Sequence, residues 1–292
     1  MAVKDRILTA ASPCVRLVTD PTVVTGYEAE VKALRKAQPG FKANECDDVH
    51  EAYYAHLVQS LPLGHSRFGG LPDLPPAIAW PNTQKGKKLH FVGQIDLSTV
   101  PAVPDHPLPR SGWLYMSVDD SPHTGAWRHV MFYHDGVRKE LRRAPRPAEG
   151  ELISSWNGHA TPHDVLPVTA ESALSLPIPD GRGWDTLWPD LGPTDKLEEA
   201  YLNLISSEEE PGAVSGQLFG YADMSGWNPT TVIRPASRRK GREKAEDWMP
   251  LLVVNSRGSM LWSDCGELIV LIHAAGLKEG DFTKTENALV CG

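Results

Sequence analysis

The sequence predicts an α+β fold with antiparallel sheets, peripheral helices and a long, ordered, proline-rich arm. Three observations predict it. Strand-length apolar segments follow one another with no helix between them. Amphipathic helical patterns stand to either side of those segments. Glycine and proline number 25 each in 292 residues, well above the ~12% that the two make up together in typical chains, so long unbroken helices are not expected. Apolar residues at 41% and charged residues at 23% exclude an intrinsically disordered chain and a coiled coil. A chain of this length buries roughly three quarters of its unfolded surface, so folding requires neither disulfides nor a structural metal.

Taken in order, Tyr27, Val31 and Leu34 recur at helical spacing until Pro39-Gly40. A second helix starts near Asp47 or Asp48 and carries the stripe Val49, Tyr53, Leu57 as far as Leu61-Pro62. Residues 64–81, GHSRFGGLPDLPPAIAWP, hold too much Pro and Gly for a regular element. They are also too apolar for a linker, and so read as an extended arm laid over a core. Leu89–Leu97 alternates as a strand, with Leu89, Phe91, Gly93, Ile95 and Leu97 on one face and His90, Val92, Gln94 and Asp96 on the other. Gly112–Val118 and His129–Tyr133 follow, which makes an antiparallel meander. Residues 139–165 are charged and loop-rich. A helix is predicted over 195–207, capped by Asp195, with Leu197, Tyr201, Leu204 and Ile205 as its apolar face. Residues 211–230 read as loop and 237–247 as a solvated, disordered excursion. Pro250–Val254 and Glu267–His273 are strands.

The pair FVGQIDLS (91–98) and GWLYMSV (112–118) parallels the pair PLLVVNS (250–256) and GELIVLI (266–272). Each has an apolar strand that ends on a polar residue, a connection, and a Gly-x-Leu strand. An internal duplication explains this. So does the general likeness of any two antiparallel hairpins.

Together, SRFGGLPDLPPAIAWP (66–81), GQIDLS (93–98), GQLFGYAD (216–223), LLVVNS (251–256) and MLWSDCGEL (260–268) resemble the YwqG-like family of unknown function. The resemblance covers about residues 60–292. It implies one α+β domain over 1–292, with residues 1–60 a less well matched helical extension. It also implies antiparallel sheets and no agreed activity. Some relatives are encoded near toxins and look like immunity proteins. The chain departs from the family pattern in three places. Val253 and Asn255 stand where relatives have Gln and Asp, Gln217 stands for a His, and Trp262-Ser-Asp-Cys-Gly266 stands for Trp-Gly-Asp-Ala-Gly. If paired Gln and Asp groups formed a family site, this chain keeps one half in Gln94 and Asp96 and has lost charge in the other.

A net charge of −8 argues against nucleic-acid binding, which needs a cationic surface. The four cysteines show no C-x-x-C spacing and make no disulfide framework. No apolar core follows Lys4, Asp5 and Arg6, so no signal peptide is expected. The five aliphatics of 267–273 fall far short of the ~20 residues that span a bilayer. These features lead to the expectation of a cytoplasmic chain with reduced thiols and no membrane contact.

Candidate ligand-binding residues are Arg67, Gln94, Asp96, Asp223, Trp262 and Asp264. Arg67, beside Gly69-Gly70, can hold a carboxylate or phosphate bidentately or tie the arm to carbonyls. Asp96, Asp119, Asp223 and Asp264 sit at strand ends or turns, where carboxylates do acid/base work or cap their own backbone. Asp96 and Asp264 are the catalytic candidates. His159 and His163 are four apart, but Pro162 disfavours the helix that would pair them, and no His-Glu-x-x-His motif occurs. No metal and no cofactor are expected. Cys265 has no local base, and no Gly-x-Ser-x-Gly or Walker motif occurs. The nine tryptophans make a recognition surface if exposed and fill a loop-rich core if not.

The first functional reading is a non-catalytic binding module for a protein or peptide partner, with immunity-type neutralisation as one variety. The alternative is an accessory enzyme acting on a peptide or small anionic metabolite, with Arg67 as anchor and Asp96 or Asp264 as acid/base. The partner's identity and the oligomeric state stay open at this point.

Overall fold

The computed structural model describes the chain apart from residue 1, most of 21–44, residues 122–127, 180, 182, 193, 208–213, 223–244 and 291–292. Twelve strands are seen among the described residues. They are β1 (Ser12–Thr19), β2 (Arg67–Phe68), β3 (Asp73–Leu74), β4 (His90–Asp96), β5 (Trp113–Asp119), β6 (Arg128–His134), β7 (Arg142–Arg143), β8 (Leu166–Ser175), β9 (Val214–Phe219), β10 (Trp248–Asn255), β11 (Glu267–His273) and β12 (Thr285–Val290). The helices are α1 (Val3–Ala10), α2 (Glu45–Ser60), α3 (Trp184–Leu191), α4 (Asp195–Ser207) and α5 (Ala274–Glu279).

Ten strands form one sheet in the order β12-β11-β10-β9-β1-β8-β2-β4-β5-β6, and β3 pairs with β7 apart from it. Every pairing is antiparallel. The sheet curls until its edges meet. On β6, His129 Nδ1 and Nε2 each lie 2.8 Å from a β12 partner, Asn287 Oδ1 and Thr285 Oγ1 respectively. The near-closure protects the two edges that an open sheet exposes. The main core fills the inside with Val15, Leu17, Val92, Ile95, Leu252 and Val270, among others.

The expected strands over 89–97, 112–118, 129–133, 250–254 and 267–273 form with small shifts at their ends. Face assignment on β4 needs correcting. A bulge between Phe91 and Gly93 changes the side on which successive residues fall. Phe91 therefore packs outside with Trp113 and Tyr115, while Val92 and Ile95 both enter the main core.

The helix over 195–207 forms as α4, but the Thr194 hydroxyl caps it, accepting from Leu197 N at 3.3 Å. Leu204 is exposed, while Tyr201 packs on Trp184 and Leu187. Of the helix predicted from Tyr27 onward, Glu28, Ala29, Val31, Lys32, Ala33 and Lys36 are described and helical, while Tyr27 and Leu34 of its stripe lie outside the described residues. Most of the excursion predicted over 237–247 also lies outside them. The N-terminal extension is not only helical, because β1 sits in mid-sheet between β8 and β9. Nor is 211–230 all loop, since Val214–Phe219 is β9.

The arm is buried over residues 66–75 and at Trp80, while Pro76, Ala77 and Ala79 are exposed. Phe68 enters the main core, and Leu71, Leu74 and Trp80 form a second cluster with Tyr115 and Trp113. Among the described residues, no helix is long and apolar enough to cross a membrane.

Candidate functional site

Arg67, Gln94 and Asp96 lie on the outer side of β2 and β4, beneath the arm. Arg67 and Gln94 are directly paired across the ladder. Asp73 on the arm is the hub. Its Oδ2 accepts from Arg67 Nη1 at 2.9 Å, from Gly64 N at 2.8 Å and from Gln94 Nε2 at 3.2 Å. Its Oδ1 accepts from Arg143 Nε at 2.9 Å, and its N–H donates to Gln94 Oε1 at 2.9 Å. Arg67 also donates to the carbonyls of His65 and Leu71. Arg67, Asp73 and Gln94 are all 0% exposed. Burial raises the Asp73 pKa, but the hydrogen bonds and charges of Arg143 and Arg67 override it and hold the carboxyl below its ordinary range.

This network ties the arm to the sheet. Arg67 has its guanidinium engaged with the arm. Asp96 is bonded to Arg138 and to Ser98 N and Oγ at 3.0 and 2.6 Å. Asp119 accepts from Ser121 Oγ at 2.6 Å, which is turn chemistry. Asp264 is exposed on the turn after Trp262, and Trp262 itself is 0% exposed in the core. Cys265 is exposed on the same turn and Cys14 is buried. Asp223 lies outside the described residues. The structure thus brings Arg67 and Gln94 together, with Asp96 one alternation along, and places Trp262 and Asp264 elsewhere.

A second polar cluster forms where three loops meet, and sequence reasoning did not assemble it. His90 opens β4, Asp120 follows β5, and His163 precedes β8. The imidazole of His90 lies with Nδ1 2.8 Å from Asp120 Oδ1. The rings of His90 and His163 are 4.7 Å apart, and His159 stacks on His163 at 5.2 Å with an interplanar angle of 5°. One ligand atom from each of His90, Asp120 and His163 lies within 4.8 Å of the other two. His90 Nε2 and His163 Nε2 are buried and hydrogen-bonded to nothing. Burial, then the neighbouring His90 and His159, holds the His163 pKa well below its ordinary value. Burial and His90 lower that of His159 in the same way.

The glycines of the arm place this cluster. Gly69 N donates to Val92 O and Gly70 N to His163 O, at 2.8 and 2.9 Å. A Cβ on Gly69, at φ +63°, would stand 1.9 Å from Asp164 O, so only glycine fits there. Ser259 clamps the segment from the other side, exchanging hydrogen bonds with Asp164 at 2.7 and 2.9 Å. A signal for this site was present in the His159/His163 spacing. Pro162 does exclude a helix, but the histidines meet through a loop. A cleft of about 360 Å³ opens beside them, walled by Tyr54, Val58, Leu71, Arg146, His159 and His163, among others. Trp156 is exposed nearby, its backbone N–H donating to Asp120 O at 2.9 Å.

No curated protein matches the chain. The model of a family described as a domain of unknown function (DUF1963) matches residues 66–291. That span begins at the serine that opens the Arg67 motif and includes the arm, the histidine cluster and every strand from β2 to β12, and by this match the chain belongs to the DUF1963 family.

Proposed function

We propose that the chain is a cytosolic, non-catalytic binding module that receives a protein or peptide partner in the cleft between α2 and residues 159–165. One contrast supports this reading. Arg67, Gln94 and Asp96 direct their hydrogen bonds inward, whereas the cleft is open, apolar along Tyr54, Val58 and Leu71, and rimmed by Arg146. Such a site suits an apolar side chain next to an anionic group. The partner segment in this reading is a peptide with an apolar side chain along Tyr54, Val58 and Leu71 and an acidic residue on the side of the rim where Arg146 stands. Neutralisation of a toxin-like partner is the finer form of this role, and it rests on the YwqG-like resemblance. The accessory-enzyme reading draws no support from Arg67 or Asp96, because both are bonded internally.

Selection of displayed peptides on the purified chain tests the proposal. Selected peptides should carry an acidic residue next to an apolar one and shift the NMR signals of Tyr54 and Thr161. Arg146→Glu and Thr161→Trp should each weaken binding at least tenfold. Peptides that bind with the cleft blocked by Thr161→Trp, or a selection that enriches none, would refute the reading.

A further inference from the structure

The geometry points to a transition-metal site of the zinc class, formed by His90 and His163 with Asp120 as the carboxylate partner of His90, behind the wall of the cleft that His163 lines. This inference does not depend on the peptide-binding reading.

The first argument is convergence. The three ligand atoms already lie within 4.8 Å of one another. A zinc ion with Zn–N bonds of about 2.0–2.1 Å holds two imidazole nitrogens about 3.4 Å apart, and Asp120 stands behind His90 as the carboxylate that orients it.

The second argument is the pair of orphaned atoms. His90 Nε2 and His163 Nε2 are buried without a partner. His90 and His163 are 0% and 5% exposed, respectively. Native interiors seldom keep such groups unsatisfied, and one cation between the two rings satisfies both.

The third argument is tautomer control. Asp120 Oδ1 accepts from His90 Nδ1, which leaves the Nε2 lone pair for a metal. This is how an outer carboxylate orients a ligating imidazole. His163 Nδ1 faces the Ser259 hydroxyl at 3.5 Å, so its Nε2 is again the inward nitrogen. Two imidazoles favour zinc, copper or nickel over magnesium or calcium. The ion would enter through the cleft that His159 and His163 line.

The test is a titration of the full chain, stripped with a chelator, with Zn²⁺ and separately with Co²⁺. One equivalent should bind, and Co²⁺ should show the visible absorption of a tetrahedral nitrogen–oxygen site. His90→Gln and His163→Gln should each lower affinity at least 100-fold, and Asp120→Asn about 10–100-fold. His106→Gln, on a distant loop, should change nothing. Far-UV circular dichroism checks that each variant folds, and in the unaltered chain the Tm should rise with Zn²⁺ concentration. The site does not exist if the unaltered chain takes up no stoichiometric metal. The assignment is wrong if folded His90→Gln and His163→Gln bind metal as the unaltered chain does, and an adventitious ion only is the reading if His106→Gln abolishes uptake.

Discussion

The two ends of the sheet are built alike and finished differently. In the first half, β2, β4, β5 and β6 run outward from β8, and in the second β9, β10, β11 and β12 run outward from β1. Arg67 faces Gln94 where Gln217 faces Val253. Gln94 pairs with Tyr115 where Val253 pairs with Ile269. Each hairpin has its bulge at the same place, before Gly93 and before Leu252. Each inner strand ends in two left-handed residues, Gly69 and Gly70 at φ +63° and +71°, and Phe219 and Gly220 at +61° and +76°.

The repetition read from the strand pairs therefore extends to register, bulge and turn. The outer surfaces differ. In the first half the arm covers the sheet through Arg67, Asp73 and Gln94. In the second half the same positions, Gln217 and Val253 with Asn255, line a small cavity of about 100 Å³. The histidine cluster belongs to one half only, since His90 and Asp120 correspond in register to Met249 and Ala274. One scaffold can thus carry a buried ion network at these positions on one side and amide and apolar side chains at the matching positions on the other, because ladder hydrogen bonds form the strands in both halves.

The comparison makes graded predictions. Asp73→Ala should cost the most, about 3–5 kcal/mol in urea unfolding, because it leaves Arg67 buried without its carboxylate. Gly69→Ala should follow at about 2–4 kcal/mol, the backbone having to yield to Asp164 O, and it should displace His163 as well. Acid adds a third, smaller effect. The His163 pKa is lowered in the folded chain, so the unfolded state gains the proton first, and stability without metal falls as pH drops below the ordinary value of 6.5. His163→Gln should remove that part of the pH profile. Asp73 acts further down the scale. Its depressed pKa stabilises the fold above the ordinary carboxylate range and loses that contribution as pH falls through the folded value. The smallest effect is expected from Gln217→Ala, the counterpart of Arg67, which loses bonds to Phe219 O and Tyr221 O and about 1 kcal/mol. Equal losses from Gln217→Ala and Arg67→Ala would break the comparison.

The strands that the sequence revealed had an unbroken apolar run, such as Leu268–Ile272, or a regular alternation, as over Leu89–Leu97. Those it hid carry polar residues or glycine. Glu171 and Ser172 obscure β8, and Gly216 obscures β9, although all of them pair in the sheet interior. Pro13 and Arg16 likewise obscure β1, which takes its place through tertiary pairing with β8 and β9. The buried acid hub was also out of reach, since Asp73 sits in a proline-rich arm whose sequence suggests that it covers a core but not that Arg67 and Arg143 fold against its one carboxylate. The histidines escaped because they are 73 positions apart in the chain, from His90 to His163, and the Gly69–Gly70 turn that docks the second one marks closeness of backbone without naming what it approaches.

The separation of scaffold from site is tested most directly by unfolding free energies of Arg67→Gln and His163→Gln, each measured with and without Zn²⁺. Arg67→Gln should lose about 2–3 kcal/mol in both conditions and keep the full zinc-dependent gain. His163→Gln should lose little without zinc and show no gain with it. A zinc gain that vanishes in Arg67→Gln, or survives in His163→Gln, would contradict the account.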